Sequence, residues 1–143
     1  MGYFYDSSKV NIQKLHDVKM PVIFVGSSSR LISENCDKLS LNILLAEKLA
    51  LIQPQNRPMQ IMDETKAILY SNTKPLLLDR YEMLFAPDYQ LNVLKIFMDL
   101  ARFRPLFVTW PGKLNNNALI YAEPGDPEYR NYRIADYDVI VIA

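Results

Sequence analysis

Three short apolar runs interrupt a chain in which apolar and polar positions are otherwise mixed. They occupy residues 21–26 (PVIFVG), 75–79 (PLLLD) and 105–110 (PLFVTW). Continuous apolar runs of this length, bounded by turn residues, are typical of strands that are buried on both faces of a parallel sheet. We therefore predict three central strands at these positions.

Segments with helical spacing lie between these runs. Residues 44–52 consist of good helix formers, and residues 59–69 repeat apolar side chains at helical spacing. Residues 91–102 predict an amphipathic helix with one apolar face. The remaining segments predict a weakly helical lead-in at 1–19, a helix at 30–38, a short strand at 39–43, and strands at 118–122 and 137–143 with the turn-rich segment 123–127 between them.

The alternation of strands and helices predicts an α/β domain of three layers with a mainly parallel sheet. The 143 residues suit a single domain, 1–143, and half of them are hydrophobic, which is enough to build a core. Ligands of such sheets bind beyond the carboxyl ends of the strands. In this chain those ends carry Gly26, Asp79 and Thr109.

The charge balance excludes a protein that holds nucleic acid by charge alone, because 16 basic residues match 16 acidic ones. Direct DNA binding is therefore not expected. The single cysteine and the single histidine exclude a disulfide framework and a Cys/His zinc site. No apolar run approaches the length of a membrane span, so we expect a cytoplasmic protein without membrane contact. Direct DNA binding would require that Arg102, Arg104, Arg130 and Arg133 form one basic face.

The strand at 21–26 ends in glycine before a polar turn, which is the arrangement of a phosphate-binding loop. Backbone N–H groups at such a turn and at the following helix N-terminus hold phosphate oxygens. Aligned on the signature G-x-x-x-x-G-K-[ST], Gly26 and Ser33 match, whereas leucine and isoleucine at 31 and 32 replace the second glycine and the lysine. The loop is therefore degenerate, and an ordinary strand-to-helix turn with a serine cap is the alternative. The residues expected to face a nucleotide here are Gly26, Ser27, Ser28, Ser29, Arg30 and Ser33.

A second element of nucleotide chemistry follows the strand at 75–79. In P-loop proteins an apolar strand that ends in aspartate orients the magnesium shell, so Asp79 is the candidate magnesium ligand. In the subclass that hydrolyses ATP with one strand inserted between the two motif strands, a glutamate usually follows to polarise water. Here Arg80 follows, and Glu82 lies three positions beyond Asp79. Thr109 would sense the γ-phosphate; the alternatives are that Asp79 caps a turn and that Thr109 is an ordinary strand residue.

The segment 110–132 is rich in proline, tyrosine and tryptophan, the rigid and amphipathic residue types found at interface hot spots. Since it follows the ligand edge of the predicted sheet, we expect a partner to bind there through Trp110, Tyr129 and Arg130. A packed C-terminal hairpin is the alternative interpretation.

The order of these elements and several local motifs resemble one protein family. The motifs are LLD at 77–79, EMLF at 82–85, ARFR at 101–104, VTWPG at 108–112 and, above all, YAEPGDPEYR at 121–130. Over about residues 20–143 the chain is similar to the BrxF family of small P-loop-containing proteins from type 3 BREX (bacteriophage exclusion) systems. The resemblance implies a P-loop NTPase-like α/β domain with a degenerate phosphate-binding loop.

The function that the resemblance implies is that of a component of an anti-phage defence system. Such components act beside a methyltransferase, a large ATPase and a phosphatase-like protein, in systems that mark host DNA and block replication of unmarked phage DNA. The departures at Leu31, Ile32 and Arg80 favour a binding, adaptor or regulatory subunit with weak or no ATPase activity of its own. Its partners would be other BREX proteins, the large ATPase among them, and a second copy of the chain.

The alternative function is an ATP-binding or ATP-hydrolysing subunit with a non-standard cation. Arg30, Lys38 or an arginine from a partner would then replace the missing lysine. The loop residues, together with Asp79 and Thr109, would hold ATP and magnesium. The sequence establishes no cofactor, and ATP with magnesium is the pair that this alternative needs.

Overall fold

The domain is built on a six-stranded parallel sheet. The structure is a computed structural model, and it describes residues 1–26 and 36–143. The strands are β1 (Tyr3–Tyr5), β2 (Val22–Phe24), β3 (Asp37–Ser40), β4 (Leu76–Asp79), β5 (Leu106–Thr109), β6 (Lys113–Asn115), β7 (Ala118–Tyr121), β8 (Arg130–Arg133) and β9 (Ile140–Ile142). The central sheet has the order β1-β9-β2-β5-β4-β3, and each neighbouring pair in it is parallel. One strand, β5, therefore separates the strand that ends in glycine from the strand that ends in aspartate.

Within residues 1–26 and 36–143, three α-helices pack against this sheet: α1 (Leu41–Ala50), α2 (Arg57–Leu69) and α3 (Val93–Leu100). Pro58 stands in the first turn of α2, where its missing N–H would have no intrahelical partner. Asn92 caps α3, because its side-chain oxygen accepts a hydrogen bond from the N–H of Lys95 at 3.2 Å. The apolar residues of α3 share one buried face: Val93, Leu94, Ile96, Phe97 and Leu100.

A second, antiparallel sheet of the strands β6, β7 and β8 lies between β5 and β9 along the chain. β6 and β7 are joined by the two-residue turn of Asn116 and Asn117, whose φ angles of 51° and 61° suit a primed hairpin turn. Leu119 and Tyr132 on one face of this sheet join the main core. The small sheet thus stands where the strand–helix alternation would place another helix.

Side chains alternate between the two faces of the central sheet, as strand geometry requires. On the first face, Ile23 and Val108 belong to one core with the three helices and the small sheet. On the second face, Phe24 belongs to a separate core that includes Leu15. Leu15 lies in the 3₁₀ helix Ile12–Asp17, so the lead-in segment covers the second face.

The central predicted elements are confirmed. β2, β4 and β5 lie within the three apolar runs, and α1, α2 and α3 overlap the predicted helices. β7 and β9 lie within the strands predicted at 118–122 and 137–143. None of the helices in the described parts of the chain has the length and apolar character needed to cross a membrane.

The predictions for the first forty residues are partly wrong. The lead-in contains the strand Tyr3–Tyr5, because parallel pairing with β9, distant in the chain, decides its conformation rather than local spacing. The helix predicted at 30–38 falls partly outside the described residues, and its last two residues belong to β3. The strand predicted at 39–43 ends at Ser40, since α1 begins at the next residue.

Candidate functional site

The carboxyl ends of β2, β3, β4 and β5 lie at one edge of the sheet. In the strand register, Ser40 lies opposite Asp79, and Phe24 lies opposite Thr109. The pairing of β4 with β5 puts Thr109 next to Asp79 in the same row. Because side chains alternate along each strand, all of these residues project from the second face of the sheet. Two of the predicted site residues, Asp79 and Thr109, are thus brought together.

Gly26 reaches the same edge, two residues beyond the end of β2. Its φ of +67° lies in the left-handed region, which glycine adopts at little cost. Apart from its chain neighbours, no atom of the described residues lies within 4 Å of the position that a Cβ would take, so what these residues require of Gly26 is conformational rather than steric. The other predicted loop residues lie outside the described residues: Ser27, Ser28, Ser29, Arg30, Leu31, Ile32 and Ser33.

The carboxylate of Asp79 is held by a hydroxyl from the neighbouring strand. Ser40 donates a hydrogen bond to Oδ1 of Asp79 at 2.6 Å. Although Ser40 occupies the N-cap position of α1, its side chain makes no capping hydrogen bond. The hydroxyl therefore serves the aspartate instead of the helix, a role that no local motif around Ser40 signals.

Asn42, in the first turn of α1, binds the segment that follows Asp79. Its side-chain N–H donates to Oε2 of Glu82 at 2.8 Å, and its side-chain oxygen accepts from the N–H of Met83 at 3.1 Å. Its own backbone N–H donates to the carbonyl of Arg80 at 2.7 Å. Glu82 is thus engaged by an amide, while the exposed Arg80, at a left-handed φ of 46°, stands where a hydrolytic glutamate would be.

Tyr81 fixes the ends of β4 and β5 relative to each other. Its ring is fully buried and packs edge-on against Phe97, with the ring centroids 5.0 Å apart. Its hydroxyl donates to the backbone carbonyl of Thr109 at 2.8 Å. Burial, with the nearby carboxylate of Glu82, raises the pKa of this hydroxyl well above its ordinary value, so Tyr81 remains a neutral donor.

The side chains at this edge offer one carboxylate and two hydroxyls, from Asp79, Ser40 and Thr109. Oxygen ligands of this kind suit Mg²⁺, which is usually held by one or two carboxylates together with water and substrate phosphate. Among the described residues, no group of three or more His, Cys, Asp and Glu side chains converges to hold a metal ion. A magnesium ion at Asp79 would therefore need the oxygens of a bound phosphate.

Replacing Asn42 by alanine is expected to lower the free energy of unfolding by about 1–2 kcal/mol, because it removes the hydrogen bonds to Glu82 and to the N–H of Met83. Urea denaturation measures the change. Asn115 is exposed, and its side chain makes no such hydrogen bonds to the part of the chain that the structure describes, so Asn115→Ala is the matched control and should stay within about 0.5 kcal/mol of the parent chain. Equal midpoints for Asn42→Ala and the parent chain would contradict this bracing role.

The predicted partner-binding residues differ in exposure. Trp110 is only 5% exposed, and its indole N–H donates to the carbonyl of Ile120 at 3.0 Å, so its ring belongs to the core rather than to an exposed hot spot. The guanidinium of Arg130 donates to the backbone carbonyl of Phe85 and lies over the aromatic ring of the same residue, 5.9 Å from the ring centroid. Tyr129 is half-buried and lines a groove on the outer face of the small sheet.

Arg104 is a structural residue. It is 4% exposed, and its guanidinium donates to the backbone carbonyls of Lys74 at 2.7 Å and Leu69 at 3.0 Å. These bonds tie the segment between α3 and β5 to the end of α2 and to the segment that joins α2 to β4. Arg104 is therefore not available to an exposed basic face with Arg102, nor as a cation presented to a neighbour.

No family model, no curated protein and no solved structure matches the chain.

Proposed function

We propose that this chain is a nucleotide-fold protein that acts as a binding, adaptor or regulatory subunit of a type 3 BREX defence system. The observation that carries the proposal is the order β2-β5-β4, with Gly26, Asp79 and Thr109 at one edge. The order supports the proposal because one subclass of P-loop ATPases also inserts one strand between its two motif strands. The BREX assignment rests on the resemblance of motifs such as residues 121–130.

Several features argue that the chain binds partner proteins rather than hydrolysing ATP. Leu31 and Ile32 replace the residues that would approach and neutralise phosphate. Arg80 replaces the glutamate that would polarise water, and Glu82 is engaged by Asn42. Losing both the cation and the water-positioning group removes several kcal/mol of transition-state stabilisation, or about a thousandfold or more in rate.

The isolated chain is therefore expected to release no phosphate from ATP in the presence of magnesium. A phosphate-release assay measures this directly. Asp79→Ala should behave like the parent chain, because the parent chain has no turnover that the substitution could remove. Magnesium-dependent turnover that Asp79→Ala abolishes would contradict the adaptor proposal and support the alternative.

The surface best suited to a partner is the outer face of the small sheet. Strand register places two rows of side chains there, and they surround a groove of about 470 Å³ with an apolar floor of Ala118 and Ile120. Apolar floors with a few polar groups are typical of binding sites. The polar rim residues are Lys113, Asn115, Asn116, Glu123, Tyr129, Asn131 and Arg133.

Co-purification with the large ATPase of the cognate BREX system tests this surface. We expect Tyr129→Ala combined with Arg133→Ala to lose binding, because both residues line the groove. Arg102→Ala removes an exposed cation that does not line this groove, and it serves as the matched control. Undiminished binding by the folded double variant would overturn the assignment of the partner surface.

The alternative, an ATP-binding subunit with a borrowed cation, is favoured by one observation. Lys38 lies two residues before Ser40 on β3, so alternation puts its side chain on the same face as Asp79. Lys38→Ala distinguishes the two functions, because it should weaken nucleotide binding only if this lysine supplies the missing cation.

A further inference from the structure

We propose that β1 is a self-pairing edge, and that two copies of this chain associate through it by antiparallel strand addition. β1 is the outermost strand of the central sheet and pairs only with β9 among the described strands. Its three residues are large and aromatic, and they are 45%, 53% and 43% exposed for Tyr3, Phe4 and Tyr5. An exposed edge strand without charge or proline is a template for pairing with another strand.

One residue of β1, Phe4, has its backbone N–H and carbonyl directed away from the sheet. The N–H of Tyr3 donates to the carbonyl of Val139 at 2.9 Å, and the carbonyl of Tyr5 accepts from the N–H of Ala143 at 3.3 Å. In a parallel pair, alternate residues direct both backbone groups to the partner strand. The N–H and carbonyl of Phe4 therefore point away from β9, toward the open edge.

The residue order of β1 favours a second copy of this chain over an unrelated strand. Tyr-Phe-Tyr reads the same in both directions. A twofold axis through the edge places Phe4 opposite its counterpart and Tyr3 opposite Tyr5 of the second copy, and with this residue order every facing pair is aromatic, a combination that stabilises paired strands. The two Phe4 residues would exchange both backbone hydrogen bonds, as in a hydrogen-bonded antiparallel pair, and the interface would be self-complementary, as twofold symmetry requires.

The size of the contact sets its strength. Aromatic side chains bury roughly 150–250 Å² each when covered, so three that are about half exposed would contribute roughly 300 Å² per copy. Stable interfaces bury about 800 Å² per partner. The dimer should therefore be weak and dependent on concentration. In an antiparallel pair the strands of the two copies run in opposite directions, so the carboxyl edges of the two sheets lie on opposite sides of the joined sheet. The dimer proposal therefore does not depend on the nucleotide-fold site.

Sedimentation velocity over a wide range of protein concentrations tests the proposal. The parent chain should move from its monomer mass of 16.6 kDa toward twice that mass as the concentration rises. Phe4→Lys should remain monomeric, because it places two cations opposite each other. Phe4→Pro should also remain monomeric, because it removes the outward N–H while leaving the hydrogen bonds to β9 intact.

Phe103→Lys is the matched control, since Phe103 is 66% exposed but lies outside the sheet edge. It should associate like the parent chain, and circular dichroism should show that all variants fold. A parent chain that stays monomeric at every concentration, or a folded Phe4→Lys that still dimerises, would overturn the proposal.

Discussion

Replacing Trp110 by alanine is expected to lower the free energy of unfolding by about 3–5 kcal/mol, the range for truncating a large buried aromatic side chain. Trp110 is 5% exposed and packs edge-on against Phe85 and Tyr132, with ring centroids 5.9 Å and 6.2 Å away. The change also leaves the carbonyl of Ile120 without the indole donor. Urea denaturation, followed by circular dichroism, measures the loss.

Tyr129→Ala is the control for Trp110→Ala, because Tyr129 is half-buried rather than buried and its hydroxyl accepts a hydrogen bond from the exposed Asn131 at 3.3 Å. Its free energy of unfolding should change by no more than about 0.5 kcal/mol. If Trp110→Ala were as mild as Tyr129→Ala, the indole would not join the small sheet to the core. Trp110 would then be available to a partner, as the sequence alone predicts.

Replacing Tyr81 by alanine is expected to cost about 3–5 kcal/mol of unfolding free energy, since the ring is fully buried against Phe97 and Phe85. Tyr81→Phe keeps the ring and removes only the hydrogen bond to the carbonyl of Thr109, so it should cost about 0.5–1.5 kcal/mol. Chemical denaturation of the two variants separates packing from hydrogen bonding. Equal losses for both variants would contradict this division.

Much of the sheet could be predicted because its central strands are buried on both faces and therefore form continuous apolar runs. β2, β4 and β5 show this pattern. The sequence does not predict β8, because three of its four residues, RNYR, are polar and only Tyr132 is buried. β1 was missed because its conformation depends on pairing with β9, at the other end of the chain.

The location of the candidate site could be predicted, because the carboxyl ends of neighbouring parallel strands lie at the same edge of the sheet. That rule identified Gly26, Asp79 and Thr109. The bracing residues Ser40 and Asn42 could not be found in this way, because their partners lie 39 to 41 positions away along the chain. The burial of Trp110 could not be found in this way either, because composition indicates which residue types suit an interface and not which of them are already covered.

The absence of nucleotide binding can be measured by calorimetric titration of this chain with ATP and magnesium. We expect no heat of binding even at about 1 mM nucleotide, because Leu31 and Ile32 cannot supply the glycine and the lysine of a phosphate loop. Saturable binding with a micromolar dissociation constant, lost in Asp79→Ala, would contradict it and show that the site still holds nucleotide.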